Sequence, residues 1–271
     1  TANQGTGEFR GEPIELHLRD AGMRGVLGLL AQFTGLNIVV DARVNARISG
    51  DFTGPWDEVF EKLLAKAGLK HRAHGATIGI GPEDSPLITT AAPEGSTDRA
   101  QPVSLTLAGA QLRDVIRVFE QMGVKFDRPD IGLPGSVTVF VADAPLKSTL
   151  RLIFQSTGYS CEEHGGVFKV RTLPELSLYS AAARASASRC VTAACDDLRS
   201  LKLRATLTPQ GKGAPTVSLF EFTEDRTRFM RTGEEFDETA KVVEASPRKV
   251  VVTETRDGAE VPVTFRIEAM P

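Results

Sequence analysis

The stretch Ile14–His71, "IELHLRDAGMRGVLGLLAQFTGLNIVVDARVNARISGDFTGPWDEVFEKLLAKAGLKH", decides the fold. It opens with apolar residues at every second position, Ile14, Leu16 and Leu18, the period of a half-buried strand. Met23, Val26, Leu27, Leu30 and Ala31 then fall on one helical stripe. Asp20 stands where a cap is wanted, and Gly35 follows where a left-handed stop costs little. Leu36–Val40 and Ile48–Phe52 read as strands. Pro55 opens a second helix at the position that needs no backbone donor. Its stripe is Trp56, Val59, Phe60, Leu63, Leu64 and Ala67, ending at Gly68, and Ala76–Ile80 closes the unit as a short strand.

The same order returns 89 to 90 residues later at both ends of the unit, with one residue deleted before the first glycine stop. Val103, Leu105 and Leu107 repeat the opening strand, and Leu112, Val115, Ile116 and Phe119 repeat the first stripe. Gly123 matches Gly35, Pro145 matches Pro55, Leu146 stands in place of Trp56, and Gly158 matches Gly68. Val137–Val141 and Val167–Val170 match the remaining strands. Two stripes, two stops and a helix-opening proline in one order mark a duplication. The expected units are 9–80 and 101–172, each a small βαββαβ domain with a mixed sheet. Residues 81–100, with Pro82, Pro86 and Pro93, read as a linker, and 173–195 as a second one.

From about Asp196 the pattern changes. Leu201, Leu203, Ala205 and Leu207 alternate, and five more short strands follow between turn residues up to Ile267. Residues 196–271 are therefore expected to form a small antiparallel sandwich or barrel, so that the fold class is α+β.

Composition excludes several functions. With 41% hydrophobic and 25% charged residues the chain is that of an ordinary globular protein. A formal net charge of -3 offers no general attraction to nucleic acid. No apolar run approaches the ~20 residues of a spanning helix. No Gly-x-Ser-x-Gly, phosphate-binding loop, dinucleotide fingerprint or His-Glu-x-x-His is present. Cys161 beside Glu162, Glu163 and His164 lacks the setting of a nucleophile. His17, His71, His74 and His164 are scattered, and His71-Arg-Ala-His74 reads as surface polarity. Asp41 and Asp51 read as strand ends, Trp56 as core, and Glu234–Glu238 as a solvated turn or an acidic rim that steers a partner. The expectation is no catalytic residue, cofactor, metal or small-molecule substrate.

The first unit resembles the short N-terminal domain shared by secretins and TonB-dependent signalling receptors. The resemblance rests chiefly on "LLAQFTGLNIVVD" and "PWDEVFEKLLAKAGL", and is nearest to secretins of type IV pilus and type II secretion systems. In the second unit, "LRDVIRVFEQMGVKFD" and "APLKSTLRLIFQSTGYS" keep the plan in diverged form. The C-terminal region, through "LRSLKLRATL", "FMRTGEEFDETAKVVEASPRKVVVTE" and "VPVTFRI", resembles the homology-region domain of the type II secretion inner-membrane component and the pilus alignment lipoprotein. It departs from them in "Thr-Leu-Thr-Pro", where the family favours glycine.

These resemblances imply a periplasmic connector of a secretin-based machine that acts by docking proteins. The other class is a periplasmic signalling or ligand-sensing protein that uses the receptor version of the short domain. For the connector, the implied partner is a secretin-type N-terminal domain or another envelope component, with self-association into a ring as a second mode. The candidate docking edges are Leu198–Leu207 and Lys249–Thr253, with Leu201, Leu203, Val250, Val251 and Val252 as candidate contacts.

Cys190-Val-Thr-Ala-Ala-Cys195 is spaced for a local disulfide, the alternative being two unpaired thiols in a linker. The bond would close a loop of about six residues and contribute roughly 2 kcal/mol, provided the compartment is oxidising. The expected outcome of unreduced mass spectrometry on periplasmic protein is one Cys190–Cys195 bond and a free Cys161. Three free thiols would sink this pairing.

Overall fold

The computed structural model describes residues 11–90, 102–127, 133, 135–173, 201–210, 215–223, 226–235, 240–256 and 259–267. Cys190, Cys195, the start of the strand expected from Leu198 and most of the Glu234–Glu238 run lie outside the described residues.

The first unit runs β1 (Pro13–Gly22), α1 (Met23–Thr34), β2 (Asn37–Val40), β3 (Arg47–Pro55), α2 (Trp56–Ala67), β4 (Lys70–His74) and β5 (Thr77–Gly81). The second runs β6 (Pro102–Gln111), α4 (Leu112–Gln121), β7 (Lys125–Asp127), β8 (Ser136–Pro145), α5 (Leu146–Ser156), β9 (Tyr159–His164) and β10 (Val167–Thr172). Between them lies α3 (Pro86–Thr89). The two orders are identical. Each unit makes a two-stranded antiparallel ribbon, β1·β3 or β6·β8. Each also makes a three-stranded sheet, with one parallel pair (β2·β5 or β7·β10) and one antiparallel pair (β4·β5 or β9·β10). The two units thus share one topology. The pattern is βαββαββ, however, one strand longer than the sequence reading, because β4 and β9 were missed. Their sequences, KHRAH and YSCEEH, lack apolar alternation and are held as partners of β5 and β10.

All four glycine stops adopt positive φ, at 72° for Gly35, 67° for Gly68, 89° for Gly123 and 87° for Gly158. Asp20 does not cap α1. Gly22 occupies that position, and Asp20 sits at φ 45° in a bulge of β1. Trp56 and Leu146 are equivalent first residues of α2 and α5, each preceded by a proline. Both are half-buried rather than fully enclosed; the Trp56 ring lies against Gly11, while its inner side meets the core.

The units are not separate beads. β8 of the second unit adds antiparallel to β2 of the first, making one sheet in the order β4-β5-β2-β8-β6. The first ten residues of the expected linker are ordered, and α3 buries Leu87 in the core of the second unit. The C-terminal region forms β11 (Lys202–Pro209), β12 (Val217–Thr223), β13 (Arg226–Arg231), β14 (Ala240–Ser246), β15 (Lys249–Arg256) and β16 (Ala259–Arg266). No barrel closes. β14-β15-β16 form one sheet, whereas β11, β12 and β13 extend the first unit's ribbon in the order β13-β12-β11-β1-β3. Phe220 on β12 meets Phe265 on β16 edge to face, and Leu203, Met230, Val242, Val250 and Val252 fill the sandwich between the sheets. The expected independent domain 196–271 thus shares a sheet with 9–80.

Helix α1 lies at the centre of this arrangement. Eight of its twelve residues are buried, including Leu29, which lies off the stripe read from the sequence. Apolar residues and glycines that spread well beyond one stripe are the mark of a helix enclosed on more than one side. Gly25 lies against Leu219 and Thr227, and Gly28 against the rings of Phe140 and Phe229. A Cβ at Gly28 would come 2.7 Å from Phe229 Cζ. Gly28→Ala therefore gains helix propensity but overpacks a rigid aromatic seam, for an expected net loss of about 1–2 kcal/mol. Urea unfolding checks this; an unchanged or raised midpoint would show that the seam yields freely.

Candidate docking interface

An edge strand exposes a row of backbone donors and acceptors, and a strand added alongside satisfies them. The interface this chain displays is of that kind. β11 pairs antiparallel with β1, placing Leu207 opposite Leu16, Ala205 opposite Leu18 and Pro209 opposite Ile14. Leu16, Leu18, Ala205 and Leu207 are all at most 1% exposed, so apolar burial accompanies the backbone pairing. Burying a leucine side chain of this kind contributes roughly 2 kcal/mol.

Two clusters of charged groups fasten the seam. Arg47 of β3 donates to Asp20 Oδ1 and Glu221 Oε2, each at 2.7 Å. Arg204 of β11 donates from Nε to the same Glu221 oxygen at 2.7 Å and lies 3.0 Å from Asp20 Oδ2. This quartet spans β1, β3, β11 and β12, and Glu221 within it is only 4% exposed. The Arg47 hydrogen bond, opposed by desolvation and aided by Arg204, holds the Asp20 carboxyl below its ordinary range. Desolvation of Arg47 is outweighed by Glu221 and Asp20, so its guanidinium is still harder to deprotonate than usual.

A second cluster centres on His17, buried on β1. Its Nδ1 lies 2.6 Å from Asp51 Oδ1 and its Nε2 2.9 Å from Glu15 Oε1. Arg248, in the turn between β14 and β15, donates to Asp51 Oδ2 at 2.7 Å, and Thr206 of β11 donates to the Pro247 carbonyl. The Pro247–Arg248 turn is thereby clamped over the seam. Burial pushes the Asp51 carboxyl up, but hydrogen bonds from His17 and Arg248 outweigh it and hold the group low.

Of the docking edges expected from sequence, the first is paired within the chain, between β1 and β12, and the second is the central strand of its sheet. Residues Ala205–Pro209 of β11 make the contact, whereas Leu201 and Leu203 point into the sandwich. Val250, Val251 and Val252 lie on β15, the central strand of its sheet, and are at most 9% exposed. Three successive apolar residues meant a strand covered on both sides, not a free edge. His17, Arg47, Arg204, Glu221 and Arg248 were not singled out as contacts. Alternating charge on a strand as apolar as β1 was the available signal.

The remaining candidates hold no reactive arrangement. Cys161 is 4% exposed, and burial pushes its thiol up to about 12. His74 is buried, not superficial, with Nε2 2.7 Å from the Leu87 carbonyl, while His71 pairs with Glu61 at 3.2 Å. Asp41 is fully buried and receives the Ser85 hydroxyl at 2.5 Å, anchoring the segment that follows β5. Among the described residues no group of three or more His, Cys, Asp or Glu is placed to hold a metal.

No family model matches the chain. A span of 77 residues, 28% of the chain, is 34% identical to the fimbrial assembly protein PilQ of Pseudomonas aeruginosa. The same length is 31% identical to the type IV pilus biogenesis and competence protein PilQ of Neisseria meningitidis. The chain spans about a tenth of the length of these curated relatives, 11% of the first and 10% of the second. The match is about one unit long and is consistent with the resemblance of the first unit to a secretin N-terminal domain. No helix among the described residues is long and apolar enough to cross a membrane.

Carboxyls held low in the fold contribute stability that is complete above their unfolded value, 3.8, and is lost as pH falls through the folded value. Stability owed to Asp20 and Asp51 is therefore flat from neutral pH to about 5 and declines in acid. The expected result in Asp51→Asn is a shallower acid decline of the urea midpoint than in the parent. An identical decline would mean that the Arg248 turn does not engage Asp51 in solution.

Proposed function

We propose that this chain is a periplasmic assembly or connector module of a secretin-based envelope machine of the type IV pilus kind, working by protein–protein docking and not by catalysis. The observation that carries the reading is the β1·β11 seam. A unit resembling the secretin N-terminal domain is joined, by strand addition, to a region resembling the domain that docks there in its relatives. The similarity of 77 residues to PilQ supports the pilus setting. The expected meeting of these two partners falls here within one chain rather than between subunits. Outside contacts are therefore left to the strand edges that remain unpaired.

The test is calorimetric titration of the whole chain with the folded periplasmic region of the pilus secretin from the same organism. Saturable binding in the micromolar range is expected, as for a reversible contact of modest area. No binding at high micromolar concentration would remove the connector reading.

A further inference from the structure

The first unit uses the outer edge of β1 to receive β11, and the duplication supplies a second such edge. β6 is the counterpart of β1, with Val103, Leu105 and Leu107 in the places of Ile14, Leu16 and Leu18. Among the described residues no strand pairs with the outer side of β6. The consequence is visible in burial: Leu16 and Leu18 are at most 1% exposed, whereas Leu105 and Leu107 are only half-buried.

Its charge pattern separates β6 from every other edge. Among the described residues the four sheets have eight outer strands, and seven of them carry at least one charged side chain. β4 has Lys70 and Arg72, and β9 has Glu162 and Glu163. Such charges guard edges against unwanted pairing. β6, Pro-Val-Ser-Leu-Thr-Leu-Ala-Gly-Ala-Gln over residues 102–111, has none. Between Pro102 and the bulge that lies between Leu107 and Ala110, the edge over 103–107 is free of charge, and what it pairs with must match an uncharged strand of alternating apolar and hydroxyl residues.

We infer that β6 pairs antiparallel with β6 of a second copy of this chain about a two-fold axis through Leu105. In that register Val103 faces the partner's Leu107 and Ser104 faces the partner's Thr106. Apolar side chains then share the core face of both copies, and exposed hydroxyls lie together on the other. A two-fold contact uses the same patch twice and closes, which suits a strand complementary to itself. β11 of a second copy cannot be the occupant, because both of its sides are taken by β1 and β12. The dimer joins two five-stranded sheets into one of ten strands. It does not rest on the pilus reading.

Sedimentation equilibrium of the whole chain over a micromolar concentration series tests the dimer and its register together. The parent protein is expected to pass from monomer to dimer. Ser104→Lys/Thr106→Lys places lysines directly opposite one another and should shift the midpoint at least tenfold upward. Ser104→Glu/Thr106→Lys places glutamate opposite lysine twice and should restore association to near the parent value. A parent that stays monomeric up to its solubility limit overturns the inference, as do two double variants that associate alike. Hydrogen exchange on the unmodified chain supplies an independent reading should a variant fail to fold. Amides of 102–108 must gain protection as concentration rises, and no gain is a second overturning result.

Discussion

A two-stranded ribbon with an apolar inner face cannot stand alone in water. Both outer flanks of its backbone are unpaired, and the leucines beside the β1 flank stay partly wet. The addition of β11 to β1 resolves both problems at that flank. It supplies hydrogen-bond partners to the edge and brings Leu207 and Ala205 alongside Leu16 and Leu18, all within the largest hydrophobic core. The rest follows from that seam. Because β11 leads into β12 and β13, their inner residues Leu219 and Phe229 come to lie over α1. Because β8 adds to β2 on the other side, Phe140 reaches α1 from there. The central helix is enclosed by two strand additions.

The two copies of the unit show how burial shaped their divergence. On α1 the outward positions are Gly25, Gly28 and Leu29, which admit sheets at close range. Their counterparts on α4 are Asp114, Arg117 and Val118, all exposed. Arg113 and Arg117 flank Asp114 there, at 4.0 and 3.4 Å, as suits a solvated face. An arginine at the Gly28 position would exclude the Phe140 ring. Thus one backbone plan accepts neighbours on both sides in the first copy and on fewer in the second, and the choice lies in a few residues of one helix face.

Much of this was legible before the structure. Period-2 leucines, two helical stripes and the glycines at positions 35, 68, 123 and 158 located the units and nearly all their elements. These are local signals, each tied to backbone geometry. What escaped was set by partners distant in sequence. Nothing in KHRAH marks a strand except that β5 lies beside it. Pattern alone could show that β11 is an alternating strand, but not that its neighbour stands nearly two hundred residues earlier. Val250–Val252 is the instructive case: the run suggests a docking edge, although covering on both faces is what such a run requires. His17 reads from sequence only as one of four scattered histidines, because a lone histidine carries no pattern, and its meaning comes from Asp51, Glu15 and the Arg248 turn.

The charged groups in the seam act on register more than on net stability. A slip of β11 along β1 by one residue is barred, since it would turn every leucine to the wrong face. A slip of two residues, about 7 Å, keeps the faces correct and would cost little in apolar burial. It would, however, carry Arg204 and Glu221 away from Asp20 and Arg47. Glu221 would stay buried with one arginine instead of two, and Asp51 of β3 would lose the Arg248 guanidinium, which travels with the C-terminal strands. Breaking a buried ion pair costs more than forming it gains, because a desolvated charge is left behind. The apolar alternation therefore selects the set of registers that differ by two, and the Asp20–Arg47–Glu221–Arg204 quartet selects one member of that set. Strand addition without side-chain charges would give a seam of comparable strength and several positions; with them it has one.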